Sequence, residues 1–558
     1  MEKKRLKVLV CGEASFLDSG FSTYQYQLLK RLRNNPNIHV AEFACYTAVN
    51  DPRDYKCNWR FYPNAVSSQD PRVKQFNNNP QNSFGKWRFD YCVLDFQPDV
   101  VIDIRDYWMN GYQETSPLRN YYKWVLMPTI DSEPQQESWI STYCNADAIF
   151  TYSDWARDVL LKQSNNKINY IDTCSPGYDV NYLQGRNYTL EDIKTKLGLP
   201  PKSIILGTVM RNQKRKLFAE LIKDFRQLLD RLKQEKHPEY NNIYLYLHTN
   251  YPDFLCWDIP SLLQEHRVIN KVFFTYTCQK CHHIQSLMYS GSKTYCKACH
   301  EYSSVMPSVN NGISRDSLQE IYDIFTMYVQ YSICEGFGMP QVEAASCGTP
   351  VITMNYSAME DVIKKLNAYK INISYKFREL ETFADRAYPN REDLFEHVKH
   401  FLSLTKFQKN IKNLNFQHRC YLHYQWKDSL DKWENYLNGL YESEYRSDYN
   451  QILEPIQHLN RAYIKENITT NLDQIRYLQN ALSHIKLSDH IILKFLNQLN
   501  TGYLVENGME RDFTIENLLD IFDSLISANN NARQIMLEPD LLKEQDFIQY
   551  AISKDTDL

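Results

Sequence analysis

Cys334-Glu-Gly-Phe-Gly-Met-Pro-Gln-Val-Glu-Ala-Ala-Ser-Cys-Gly-Thr-Pro-Val351 is the stretch that decides the fold. An extended segment, Tyr328 to Ser332, leads into it, so its glycines open a loop at the carboxyl end of a strand. Pro340 suits the first position of a helix, where its missing N–H is not needed. Gly348 suits the stop of that helix, with Pro350 beyond it. A short helix whose free N–H groups face a glycine loop is a site for anions, and Gly336 and Gly338 let a ligand approach the backbone closely. Glu335 falls in the loop and Glu343 about one turn into the helix.

Two carboxylates then flank an anion site, each able to accept hydrogen bonds from hydroxyls. An anion with hydroxyls on both sides describes a nucleotide sugar. Around it the pattern is one of short apolar strands alternating with helices: Ser203–Val209, Ile243–Thr249, Val272–Tyr276 and Pro350–Thr353 read as strands, Leu217–Leu232 and Asp316–Phe325 as helices. An earlier set begins with the strand Leu6–Gly12, a glycine-bearing loop and a helix from Tyr24 to Leu32, and continues through Val100–Asp103, Ala148–Tyr152 and Tyr170–Gly177. Two such sets predict an α/β protein with two Rossmann-like domains facing across a cleft. The expected division is an amino-terminal, acceptor-side domain over 1–185 and a nucleotide-sugar domain over 186–420. Ligands of such sheets sit at the carboxyl ends of strands, which places the site between the domains.

Composition narrows the class. The 558 residues suit three or four domains of roughly 150 residues, and 43 % hydrophobic with 23 % charged residues is ordinary for a folded chain. Sixty-three Lys+Arg against 67 Asp+Glu give a net charge of −4, which does not favour a strongly basic nucleic-acid binder. No apolar run approaches the ~18–20 residues of a membrane span. Met1–Arg5 resembles the charged part of a signal peptide, but the run Leu6–Gly12 after it is too short and broken for one and reads as a first strand. Ten of the 14 cysteines are scattered singly, which fits a cytoplasmic or cytosol-like reducing compartment. From about residue 446 amphipathic helical patterns take over, at Leu472–Leu487, His490–Leu499 and Thr514–Ile526. They predict a helical extension over 446–558 with a surface available for self-association.

A second motif, Gly207-Thr-Val-Met-Arg211-Asn-Gln-Lys214-Arg215-Lys216, follows a strand directly. Four cations in six residues at that end of a strand make a phosphate site. A third, Asp18-Ser-Gly20-Phe-Ser-Thr23, lies in the first loop. A diphosphate can also be held by a divalent cation bound to Asp-x-Asp. Here that pattern occurs only at Asp555-Thr-Asp557, which reads as a frayed terminus, so no catalytic metal is expected.

Glu335 through Val351 resembles the E-x7-E signature of retaining glycosyltransferases of the GT-B fold, in particular the large family 4, and the resemblance extends over roughly residues 6–440. It implies that Glu335 contacts the donor sugar hydroxyls, that Glu343 holds the ribose hydroxyls, and that backbone amides around Phe337, Gly338 and Met339 meet the sugar and diphosphate. The Arg and Lys five apart that neutralise the donor diphosphate in that family match Arg211 and Lys216, with Lys214 and Arg215 supporting or facing solvent. Gly20 matches the family's glycine loop, without its usual second glycine. The implied reaction moves a hexose from a nucleotide sugar, with UDP as the expected carrier, by a retaining, metal-independent mechanism. Trp426 resembles an aromatic anchor in a crossover helix over 421–445, where core packing is the favoured role, and Pro176-Gly-Tyr-Asp179 resembles the interdomain turn.

The acceptor side offers Asp103 and Asp106 after a strand and Asp131 in a loop. The acceptor itself stays open among glycan, protein, lipid and modified nucleic acid. Cys278-x2-Cys281 and Cys296-x2-Cys299, fourteen residues apart, predict a four-thiolate structural zinc site in a ribbon inserted at 277–303. The rival reading is a nucleic-acid-associated protein whose working part is that ribbon, or a transferase acting on modified DNA.

Overall fold

The computed structural model describes residues 4–178, 189–253, 256–308, 312–462, 487, 489–506 and 509–555. The first sheet is built from β1 (Leu6–Glu13), β2 (Ile38–Cys45), β3 (Arg60–Pro63), β4 (Val100–Asp103), β5 (Lys123–Leu126), β6 (Ala148–Thr151) and β7 (Ile171–Thr173). All seven run parallel in the order β3-β2-β1-β4-β5-β6-β7. Both faces are covered, so the strands read as continuous apolar runs such as Val8–Val10 and Val100–Ile102. The chain moves outward from β1 to β3 and then returns to β4 on the other side. The point of reversal therefore lies between β1 and β4, and their following loops open a crevice.

The second sheet repeats this scheme with β8 (Ile204–Val209), β9 (Ile243–His248), β10 (Val272–Cys278), β11 (Ile284–Met288), β12 (Lys293–Tyr295), β13 (Tyr302–Val305), β14 (Met327–Gln330), β15 (Val351–Met354) and β16 (Tyr369–Ile371). Its parallel core runs β10-β9-β8-β14-β15-β16, and here the reversal lies between β8 and β14. The helix Phe218–Gln234 buries Phe218, Leu221, Ile222, Phe225, Leu228, Leu229 and Leu232 against this sheet, the three-and-four spacing of one helical face. A hairpin, β17 (Ile373–Arg378) with β18 (Asp385–Pro389), follows.

The four-cysteine segment is not a discrete insert. β11 pairs antiparallel along β10 from Phe273 to Thr277, and β13 pairs with the end of β10 at Thr277 and Cys278. Tyr246 of β9 reaches Thr275 and Ser286 with its hydroxyl, both at 2.9 Å. The segment is thus the edge of the second sheet, and Cys278 is the last residue of one of that sheet's parallel strands.

The helix Trp426–Glu442 crosses back to the first domain. Trp433 is fully buried, stacks on Phe150 at 3.8 Å and donates its Nε1–H to the Tyr24 hydroxyl at 2.9 Å. Arg31 pairs with Asp431 and Glu434 of this helix. Trp426 packs edge-on against Tyr24, so the deeper anchor of the two is Trp433.

The extension then returns to the first sheet. The helix Asp546–Lys554 lies along β3 and buries Phe547, Ile548 and Ala551, while Leu453, Ile535 and Leu542 join the same core. Asp555 is fixed rather than frayed: its carboxylate meets Arg60 at 3.4 Å and His39 at 3.3 Å. The helices Asp489–Thr501 and Ile515–Leu537 share a small core of their own around Leu496, Phe513 and Phe522. Among the described residues, part of the apolar surface of the extension is thus buried within the chain. The expected helix at Leu472–Leu487 and the domain boundary near 186 lie outside the described residues, apart from Leu487 itself. Among the described residues no helix is long and apolar enough to cross a membrane.

Candidate active site

The loops at the two reversal points face each other. On the second domain, the chain after β8 pairs with the chain after β14: Leu217 N–H donates to Tyr331 at 3.2 Å and Ile333 N–H to Arg215 at 3.0 Å. This pairing sets Arg215 and Lys216 beside Glu335. Lys216 Nζ donates to Glu335 Oε1, and Arg215 donates to Oε2 at 2.9 Å. Gln330, the last residue of β14, donates to Oε1 at 2.6 Å, and the Glu335 N–H donates to the Ser357 hydroxyl at 2.9 Å. Burial opposes ionisation of Glu335, but Lys216 and Arg215 outweigh it and draw the carboxyl down to about 2. Burial and the Arg215 charge together bring Lys216 down to about 8, against the opposing pull of Glu335. The pair is therefore charged at neutral pH, with Lys216 close to titrating.

The helix that follows runs from Met339 to Ser346, with Pro340 at its second position and no side-chain cap at its amino end. Gly338 precedes it at φ +84°, a left-handed conformation natural to glycine. Gly348, at φ +80°, closes the helix with its N–H bonded to Ala345 at 2.9 Å. Phe337 is buried against Tyr424. Glu343 accepts from the Tyr322 hydroxyl at 2.6 Å, and burial raises its carboxyl above the ordinary range. Arg211 stands apart from this cluster. Its side chain is exposed and its Nε lies 3.9 Å from Asp253. Lys214 is exposed as well, facing Glu381 at 3.4 Å.

The first domain closes the cleft from the other side. A Cβ added to Gly336 would overlap the Thr129 methyl of the loop after β5, so glycine is needed for the two domains to come this close. A Cβ on Gly20 would sit 3.6 Å from Met339 Sδ, which brings two expected donor-binding positions from opposite domains together. Gly20 opens the helix Gly20–Arg33, capped by Ser19. The loop before it is held by the buried Glu42, which accepts from Ser15 N–H at 2.8 Å, Ser15 Oγ at 2.9 Å, Gln25 at 3.0 Å and Trp59 at 2.7 Å.

Among the acceptor-side carboxylates, Asp103 does not reach the cleft. It is fully buried, pairs with Arg105 and accepts from Trp124 at 2.6 Å and Gln113 at 3.0 Å. It braces the end of β4 instead. Asp106 does lie at the cleft. Burial raises its carboxyl to about 7, with Asp131 and Glu13 pushing the same way against Thr129 and Arg215. Asp131 spans the domains: Arg386 donates to it at 3.0 Å and Cys334 at 3.2 Å. Burial works against its ionisation, but Arg386 holds its carboxyl below the ordinary range.

Gln330, Ser357 and Tyr322 escaped the reading of the sequence, and Arg215, expected only to support the site or face solvent, proves to be a direct partner of Glu335. A five-residue spacing selects Arg211, whereas Arg215 is set by backbone pairing between distant loops. Gln330 carried a usable signal, as a polar residue ending a buried strand.

The four cysteines gather with their sulfurs within 4.8 Å of one another, Cys278 to Cys299 at 3.5 Å and Cys281 to Cys296 at 3.6 Å. Tetrahedral ligation at ~2.3 Å per sulfur requires sulfurs roughly 3.7 Å apart, so the set fits zinc. The two knuckles repeat one geometry. His282 and His300 each follow the second cysteine at φ +57° and +60°, and each donates its N–H back to the first cysteine's carbonyl, at 3.0 and 3.1 Å.

Residues 307–413 match the family described as "Glycosyl transferases group 1". No curated protein matches the sequence. Among solved structures, the chain is similar to sucrose-phosphate synthase from Thermosynechococcus elongatus, with 18 % identity, TM-score 0.54, and 79 % of this chain and 100 % of that one covered. A glycosyltransferase from Rickettsia africae gives 14 % identity and TM-score 0.54 over 78 % of this chain and 98 % of that one. Anabaena HepE in complex with UDP and glucose gives 12 % and 0.54 over 78 % and 100 %. At these identities the likeness is one of fold: two α/β sheets facing across a cleft, with C-terminal helices.

Proposed function

We propose that the chain is a retaining glycosyltransferase of the GT-B class that moves a hexose from a nucleotide sugar, with UDP as the carrier, to a hydroxyl acceptor. The observation that carries this is Glu335, held ionised by Lys216 and Arg215 at the mouth of an uncapped helix, with Glu343 in that helix and Asp106 and Asp131 facing it across the cleft. Two of the similar structures are a glycosyltransferase and a protein bound to UDP and glucose, which supports the same donor here.

In this reading Lys216, Arg211 and the N–H groups at Met339 stabilise the departing diphosphate, the kind of electrostatic assistance that is usually the largest catalytic contribution. Glu335 orients sugar hydroxyls and Glu343 the ribose. Arg215 is a positioning residue that keeps Glu335 charged. The acceptor oxygen forms a bond to the sugar C1 as the C1–O bond to phosphate breaks, and the acceptor proton passes to the released phosphate oxygen. Charge compensation by side chains and a helix end makes the step independent of a divalent cation. The domains are read as 1–185 and 186–420, joined by the crossover over 421–445, with a helical extension over 446–558 whose helix Asp546–Lys554 braces the first sheet.

The four cysteines hold a structural zinc, which would lock the β10–β13 edge. A panel of nucleotide sugars, scored by thermal shift and by release of the nucleotide, tests the donor. Stabilisation by a UDP-sugar supports the assignment, because a ligand bound only by the folded state stabilises it by mass action.

A further inference from the structure

Trp108 is 48 % exposed, an unusual position for a large ring whose burial would stabilise the fold. It sits in the first turn of the helix Tyr107–Glu114, just after Asp106. Its ring lies 6.2 Å from that of Trp139. Trp139 in turn stacks on Tyr107 at 5.1 Å and 27°, and Tyr143 meets Tyr107 edge-on. The result is an aromatic lip on the first domain. It borders the cleft on both sides: Asp106 precedes Tyr107, and Gln136, three residues before Trp139, donates to the Thr382 carbonyl of the second domain at 3.3 Å.

The charge around the lip is acidic. Asp131 and Glu13 lie close enough to Asp106 to raise its cost of ionisation. The guanidiniums that face them are already engaged, Arg215 by Glu335 and Arg386 by Asp131 and Glu379. Lys494, from the extension, donates to the Tyr107 hydroxyl at 3.3 Å and is drawn towards Glu114. A polyanionic acceptor, whether nucleic acid or phosphorylated lipid, would be carried against these carboxylates. A neutral sugar would not. Its C–H faces pack on indole rings, and its hydroxyls donate to carboxylates.

We propose that Trp108, Trp139 and Tyr107 form the acceptor platform for a neutral saccharide, with Asp106 receiving the hydrogen bond of the hydroxyl to be glycosylated. This rests on the donor reading above and names the acceptor class that reading leaves open. The test is an array carrying neutral glycans, sulfated and phosphorylated glycans and single-stranded oligonucleotides, probed with the full chain in the presence of UDP. Neutral glycans should be bound. Trp108→Ala should weaken that binding by roughly tenfold, the order expected for one lost aromatic stack, and Trp108→Phe should restore most of it. UDP affinity, measured by calorimetry on the same proteins, should be unchanged. Absence of neutral-glycan binding, preference for the anionic spots, or an unaffected Trp108→Ala variant would each overturn the platform. Loss of UDP binding in the wild-type chain would instead strike the donor reading, so the two failures are separable.

Discussion

Lys216 donates directly to Glu335, joining two buried charges that come from loops after neighbouring strands of the second sheet. Their partnership has a testable asymmetry. Removing Lys216 leaves Glu335 with Arg215 as its remaining cationic partner, and a buried charge short of compensation costs up to about 3–5 kcal/mol. Lys216→Ala should therefore lower stability by that order, whereas the double variant Lys216→Met with Glu335→Leu should recover most of it in denaturant titrations. Neither protein should transfer sugar at more than about a hundredth of the wild-type rate, the loss expected when one charge-stabilising donor is removed. Recovery of activity along with stability would show the pair to be structural alone.

The same pair sets a pH dependence. The Glu335 carboxyl is held down at about 2, below its unfolded value of 4.5. Its contribution to stability is thus complete above pH 4.5 and is lost as pH falls towards 2. The stability gap between wild type and Glu335→Gln should narrow as pH falls from about 4.5 towards 2. A gap that widened across that acid window would contradict the assignment.

Asp106 behaves in the opposite sense. Its carboxyl is raised from 3.8 to about 7, so the protonated form is favoured in the folded state and ionisation weakens the fold as pH rises through that window. Asp106→Asn should gain in melting temperature relative to wild type between pH 4 and 7 and level off above. Transfer should rise with pH around a midpoint near 7 in wild type, because the ionised carboxylate is the stronger acceptor for the incoming hydroxyl. That inflexion should vanish in Asp106→Asn. A wild-type profile flat from pH 6 to 8 would remove Asp106 from the acceptor site.

Elemental analysis should find one zinc per chain, lost in Cys281→Ser. Hydrogen exchange should then accelerate across 273–305, because β11 and β13 pair directly on β10. Lys216 and Glu335 lie beyond β9, at β8 and β14, so UDP affinity should change little. Zinc-free protein that exchanges as slowly as wild type would dismiss the metal.

Much of this architecture was legible because buried parallel strands are continuous apolar runs, as at Val8–Val10, Ile204–Leu206 and Val351–Ile352. β2 was not legible. Its run is broken by His39 and Glu42, and Glu42 is tolerable inside only because Ser15, Gln25 and Trp59 donate to it from elsewhere in the chain. Local spacing found the two knuckles of the cysteine cluster, but not that their hairpin extends a sheet, since strand pairing is a long-range property. The site divides the same way. Glu335, Glu343 and the glycines announced themselves through helix punctuation, whereas Arg215 became a partner of Glu335 through the pairing of 215–217 with 331–333. Asp103 looked like Asp106 in sequence. Only the three-dimensional fold separates the one buried under Arg105, Trp124 and Gln113 from the one facing the cleft.

The most direct test of the account is proton NMR of the purified chain consuming UDP-α-glucose in the presence of EDTA, with water as the default acceptor and the first sugar anomer recorded before mutarotation. UDP should be released with α-glucose appearing first, and both should be lost in Lys216→Ala. Appearance of β-glucose first would contradict retention. Failure to consume this donor or any sugar of a UDP, GDP and ADP panel would contradict the transferase assignment itself.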